Sequence, residues 1–158
     1  MSTARYHLPD EPRPGALAAN VVNPVWPFFA FMLVGPWFGL PWFAFNSVAM
    51  GSPTLWREAV AMGLSVVGSV LLLLGITYAF HVGLLDKQTA RYAALSMVAL
   101  RLGCCYAITL MQTRVFELHT YFGGVARNGS LVLIGAMVIL RPVVVPALGS
   151  GLLALALK

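Results

Sequence analysis

Two arginines stand where arginine is costly. Arg101 lies near the middle of the apolar run 91–112, and Arg141 near the middle of the apolar run 131–157. Insertion scales put a central arginine at about +2.5 to +3.5 kcal/mol, and a charge at such a depth is functional by default. Pro142 follows Arg141 at once, and Pro146 follows four residues later. A proline lacks the amide proton of the helix ladder and frees carbonyls in the preceding turn. None of the five acids lies inside an apolar run: Asp10, Glu11, Glu58, Asp86 and Glu117 all sit outside the runs or at their ends. Four partners can therefore neutralise the arginines: freed carbonyls, a wet cavity, an acid on another subunit, or a bound anion. Arg101, Arg141 and Pro142 are the candidate anion- or partner-binding residues.

Other chemistry is thinly represented. The histidines are His7, His81 and His119, and they offer no pair at mid-depth for haem or metal. Cys104 and Cys105 are adjacent, a spacing that rarely meets disulfide geometry, and they read as small apolar packing residues. No catalytic residue, metal site or cofactor is expected.

The elements that carry these residues follow from composition. The chain has 158 residues, 59% of them hydrophobic and 9% charged, with a mean hydropathy of +0.84. A water-soluble domain carries about 25% charged residues, so this surface faces lipid. The formal charge of +5 is spread over single Lys and Arg residues rather than a basic run. Nucleic acid is therefore not an expected partner.

The expected fold is all-α: an integral membrane four-helix bundle with its first and fourth spans kinked or broken by proline. Residues 1–23 form a flexible polar arm, rich in proline, and residues 24–158 a single transmembrane domain. Four spans are expected, at about 24–50, 55–85, 91–112 and 131–157, each near the roughly 20 residues that a crossing needs. Residues 113–130 read as an amphipathic loop in the interface. The first span is the least regular. Nine of the 18 aromatic residues fall between Trp26 and Phe45, with Pro36 and Pro41 among them, so it reads as either a kinked helix or a re-entrant element. Asn23 followed by Pro24 marks its start, and Ser52 with Pro53 marks the start of the second span.

Small residues mark close helix packing. They recur in the second span as Ala61, Ser65, Gly68, Gly75, Ala79 and Gly83. In the third, Ala93, Ser96, Ala99, Gly103 and Ala107 make one face, while Arg101 shares the other with Ala94, Met97, Val98, Cys104, Cys105 and Ile108. Packing within the subunit and packing between subunits fit this pattern equally.

With four spans, both termini lie on one side. That side holds Arg5, Arg13, Lys87, Arg91 and Lys158, and the other Arg57, Arg114 and Arg127. The bias predicts that both termini are cytoplasmic; the expected compartment is a bacterial inner membrane, with an organellar one as the alternative. The leading expectation is a structural or accessory subunit of a membrane assembly, homo- or hetero-oligomeric, whose partner could carry an intramembrane acid. An oligomeric channel or carrier for a small anion is the second reading, with Arg101 and Arg141 as its site. A membrane-embedded enzyme acting on a lipophilic substrate ranks third.

Overall fold

A computed structural model describes residues 15–147. The fold is all-helical, and two of its helices are long and apolar enough to cross a membrane. In chain order the elements are a 3-10 turn (Ala18–Asn20), α1 (Val25–Leu33), α2 (Pro36–Met50), α3 (Leu55–His81), α4 (Lys87–Tyr121), α5 (Ser130–Gly135), a π-helical turn (Ala136–Leu140) and α6 (Arg141–Ala147).

The span expected at 24–50 is two helices. Glycine rather than proline breaks it: Gly35 has φ 126°, a conformation open to glycine and strained for residues with a Cβ. The prolines do not end either helix, and α2 runs on through Pro41 in its interior. Pro27 lies in the first turn of α1 and Pro36 is the first residue of α2, positions whose amide has no helical partner to lose. The two helices then fold back on one another. At the open end the amide of Val22 donates to Asn46 Oδ1 at 3.0 Å. Near the closed end Gly39 lies against the backbone of Phe31, so closely that a Cβ would sit 2.4 Å from Phe31 Cα. At 9 and 15 residues, α1 and α2 are about 14 and 22 Å long.

The helix starts shift by a few residues. Pro24 is the N-cap of α1, and Asn23 supplies the capping oxygen to the amide of Val25 at 3.0 Å. Leu55 opens α3 behind Thr54, so Ser52 is not its cap; its hydroxyl accepts from the Thr54 amide at 3.2 Å instead. The polar stretch 86–88, between the spans expected at 55–85 and 91–112, opens α4: Asp86 caps it through Thr89 and Gln88.

The largest correction concerns α4. It runs to Tyr121 and so takes in much of the expected interfacial loop 113–130; only 122–129 stays non-helical. Polar residues such as Gln112 and Thr113 end the apolar run, but nothing there ends a helix. The arm is corrected as well. Val21 and Val22 are buried, and Val21 O accepts from the Arg127 amide at 2.7 Å. The arm's described end is thus tied to the segment before α5. Its first 14 residues lie outside the described range.

The span expected from 131 begins at Ser130 and is helical to 147, where the described residues end. Pro142 does not break it. The amide of Arg141 donates to Ala136 O, five residues back, so the ladder widens into a π turn just before the proline.

The packing core joins α1, α2 and α5 through Ala30, Val34, Trp42, Leu133 and Ala136. A second cluster joins the hairpin to α4 through Phe31, Leu40, Phe43, Cys105 and Ile108. The long antiparallel pair α3 and α4 carries the second cluster, with Ala61, Met62, Val66 and Met111 packed against it.

Candidate functional site

Glu58 is the feature that composition did not announce. It sits in the first turn of α3 and is fully buried. Four donors converge on its carboxyl group. Ser52 Oγ and Thr54 Oγ1 each lie 2.6 Å from Oε1. Gln112 Nε2, from α4, lies 2.9 Å from Oε2, and Ser47 Oγ of α2 also donates to Oε2. Gln112 reaches two further atoms of α2, Phe43 O at 2.9 Å and Ser47 Oγ at 2.7 Å. Its own Oε1 accepts from Asn46 Nδ2 at 3.1 Å. Asn46 in turn holds the Val22 amide. One connected set of bonds thus ties the arm, α2, the 51–54 turn, α3 and α4 together.

Both carboxyl oxygens and the Gln112 amide are engaged, and Glu58, Gln112, Asn46 and Ser47 are all 0% exposed. Closed in this way, the group cannot meet a solute. It serves as a clamp, and a buried polar group that loses its partner there costs about 1–3 kcal/mol. Glu58, Gln112 and Asn46 do not stand out along the chain, because Glu58 sits at a span end and the two amides are single polar residues in apolar runs. The available signal was weak: Ser52, Thr54 and Glu58 approximate a capping pattern, and Asn46 and Gln112 are amides within apolar runs.

Arg101 finds a partner that the sequence did not suggest. Its Nε donates to Ser69 Oγ of α3 at 3.0 Å, and Ser69 passes a bond on to Ser65 O at 2.6 Å. Ser69 is fully buried. The α3–α4 register pairs 58 with 112 and 69 with 101. Eleven residues therefore separate the two levels along α3, about 16 Å at 1.5 Å per residue. Arg141 is exposed at the head of α6, with Pro142 exposed beside it. Among the described residues, α4 and α6 are not packed against each other.

The small residues divide. Ala61 and Ser65 are turned inward, and a Cβ on Gly68 would meet Leu100 Cδ2 at 2.7 Å. Gly75 and Gly103 have open space where a Cβ would stand. Ala79 joins Gly68 and Gly75 along a shallow groove beside Leu100. Gly83 lies beyond the end of α3 with φ 77°, so its smallness serves a turn. On α4, Ser96, Ala99 and Gly103 are exposed, whereas Cys104, Cys105 and Ile108 are buried. On the arginine-bearing face of α4, Cys104, Cys105 and Ile108 thus pack inside the chain while Ala94 and Val98 stay exposed, and the small residues Ser96, Ala99 and Gly103 point outward.

His119, expected in a loop, is buried near the end of α4 against Gly124, and among the described residues its Nε2 has no hydrogen-bond partner. His81 is exposed in the last turn of α3. Among the described residues, no three His, Cys, Asp or Glu side chains converge as metal ligands would. An open cavity of about 580 Å³ lies between α2 and the segment 127–132, lined by Phe38, Pro41, Trp42 and Phe45, with Asn20 and Asn128 also in its wall. No family model, curated protein or solved structure matches the chain.

Proposed function

We propose that this chain is a structural or accessory subunit of a membrane assembly, held in the bilayer by α3 and α4 and joined to its partners through the small face of α4. The outward turn of Ser96, Ala99 and Gly103 carries this reading. In the most apolar stretches of α3 and α4 only 11% and 17% of residues are buried within the chain, so lipid or protein must cover the rest. Lipid covers an apolar face without selecting small residues; close helix approach does select them.

The same reading revises the disposition in the membrane. A hydrocarbon core is about 30 Å thick, more than either α1 or α2 can cross. The α1–α2 pair therefore enters and returns on one side as a re-entrant hairpin. Its freed backbone groups are buried against protein, as irregular backbone at depth requires. Residues 15–24, the 51–54 turn and the segment 122–129 then share one membrane face, and the tip at 82–86 lies on the other. Arg57, Arg114 and Arg127 gather on the first face, and Lys87 and Arg91 near the second, which places the first in the cytoplasm. The rod 130–147 departs from the cytoplasmic face, so the helix after the π turn heads for the opposite one.

Native mass measurement after purification in mild detergent tests the assembly. The expected species is an oligomer or a complex with a co-purifying protein. Gly103→Leu should dissolve it while leaving the helical content intact, because that position is open in the single chain. A dispersed monomer with no co-purifying protein, or an assembly indifferent to Gly103→Leu, would overturn the proposal.

A further inference from the structure

The start of α3 and the last third of α4 enclose a groove of about 590 Å³, and two arginines stand over it. Arg57 comes from α3 and Arg114 from α4. The register that pairs 58 with 112 sets them at one height. Below and above Arg114, Ala107, Leu110, Met111, Val115 and Leu118 line the groove. Their spacing, at intervals of three and four residues, makes a single stripe along α4. Pro53 and Thr54 complete the wall.

Both arginines are exposed, and among the described residues neither is ion-paired or hydrogen-bonded. No carboxylate lines the groove. Glu58, next to Arg57 in sequence, is turned into the clamp, and Glu117 lies outside the lining. The groove thus carries a double positive charge above an apolar floor. Its volume lies within the range of ligand pockets.

We infer that this groove is a binding site for an anionic glycerophospholipid. The two guanidinium groups take the phosphate, and the stripe from Ala107 to Met111 takes the start of an acyl chain. The inference rests on the membrane placement proposed above, which puts Arg57 and Arg114 at headgroup level and the lower stripe in hydrocarbon. Guanidinium suits the role because its planar fork of donors matches phosphate oxygens two at a time. The charge favours an anionic headgroup over a zwitterionic one, and the continuous apolar stripe favours a lipid over a free phosphate.

The test is lipid retention by the full chain. The protein is reconstituted in phosphatidylcholine vesicles with and without phosphatidylglycerol, extracted mildly, and its bound lipid measured. Wild type should retain phosphatidylglycerol in preference to phosphatidylcholine. Arg57→Gln and Arg114→Gln should each weaken that preference about fivefold. The pair Arg57→Lys with Arg114→Lys keeps the charge and should retain part of it. Arg127→Gln, at the same membrane face but outside the groove, should change nothing, and circular dichroism checks that every variant is folded. Equal retention of both lipids, loss on Arg127→Gln as great as on Arg114→Gln, or displacement by inorganic phosphate at equal concentration would overturn the inference. Failure to insert into vesicles at all would instead defeat the membrane placement.

Discussion

Replacing Glu58 with alanine removes the acceptor on which four donors converge, and the structure sets the size of the effect. Three compensations are within reach. The hydroxyls of Ser52 and Thr54 lie 2.9 Å apart and can pair with each other. Gln112 keeps Phe43 O, and Ser47 Oγ lies 3.0 Å from the same carbonyl. Few donors are therefore fully orphaned, and the loss is smaller than the sum of four buried hydrogen bonds. Counting a partly relaxed cavity as well, Glu58→Ala should cost about 2–4 kcal/mol. Glu58→Gln should cost only about 1 kcal/mol: its carbonyl can face Gln112, which cannot reverse, and its amide can face Ser52 and Thr54, whose hydroxyls can. The assay is unfolding in mixed micelles of sodium dodecyl sulfate, followed by tryptophan fluorescence; Trp42 lies in the core that the clamp supports. A loss under about 0.5 kcal/mol for Glu58→Ala, the scatter expected of an inert surface site, would refute the clamp. So would a Gln variant as unstable as the Ala variant, because the ranking follows from the direction of the donors.

Four further outcomes follow from the same geometry. Gly39→Ala should destabilise by about 2–3 kcal/mol, because the new methyl meets the backbone of Phe31; Gly63→Ala, in an open stretch of α3, should be neutral or stabilising by up to about 1 kcal/mol, and equal effects in the unfolding assay would contradict the hairpin. Ser69→Ala should cost about 1–3 kcal/mol through the bond it makes with Arg101, whereas Thr77→Ala, whose exposed hydroxyl bonds only its own helix, should cost little. A double-mutant cycle between Glu58 and Gln112 should give a coupling of about 1–3 kcal/mol, and additive losses would separate the two residues. Asp86 is held below its ordinary 3.8 by hydrogen bonds from the Thr89 side chain and the Gln88 backbone. Its folded pKa is depressed, so its contribution is present above 3.8 and lost as pH falls further; Asp86→Asn should flatten the melting temperature of the chain across that acid range relative to wild type, and parallel pH curves would contradict the cap.

The parts legible in the sequence are those encoded locally. Apolar runs gave α3 and α4, Asn23 gave the start of α1, and the crowding of glycine, proline and tryptophan around 35–42 marked a break. The break's consequence was not local. Whether α2 continues the line of α1 or returns beside it depends on Asn46 meeting Val22 and on Gly39 admitting Phe31, contacts that no periodicity records. The end of α4 misled for a different reason: apolarity reports where lipid could stop, while a helix stops at a cap, and none occurs before Tyr121. The small residues of α4 were visible as a face, but which face the chain buries was decided by Arg101, whose reach to Ser69 turns Cys104, Cys105 and Ile108 inward. Glu58 and Gln112 lie 54 residues apart, and nothing along the chain joins them.

The proposed membrane placement requires the α1–α2 hairpin to return to the side it entered. Labelling of single cysteines in intact and opened membrane vesicles measures this, in a background where Cys104 and Cys105 are serine. Leu17→Cys, Leu84→Cys and Val125→Cys place the reporter at exposed positions before α1, at the α3–α4 tip and ahead of α5. The account predicts that positions 17 and 125 are labelled from one side and position 84 from the other. Labelling of 17 together with 84, and of 125 opposite to both, would mean that the first span crosses the bilayer, and would contradict it.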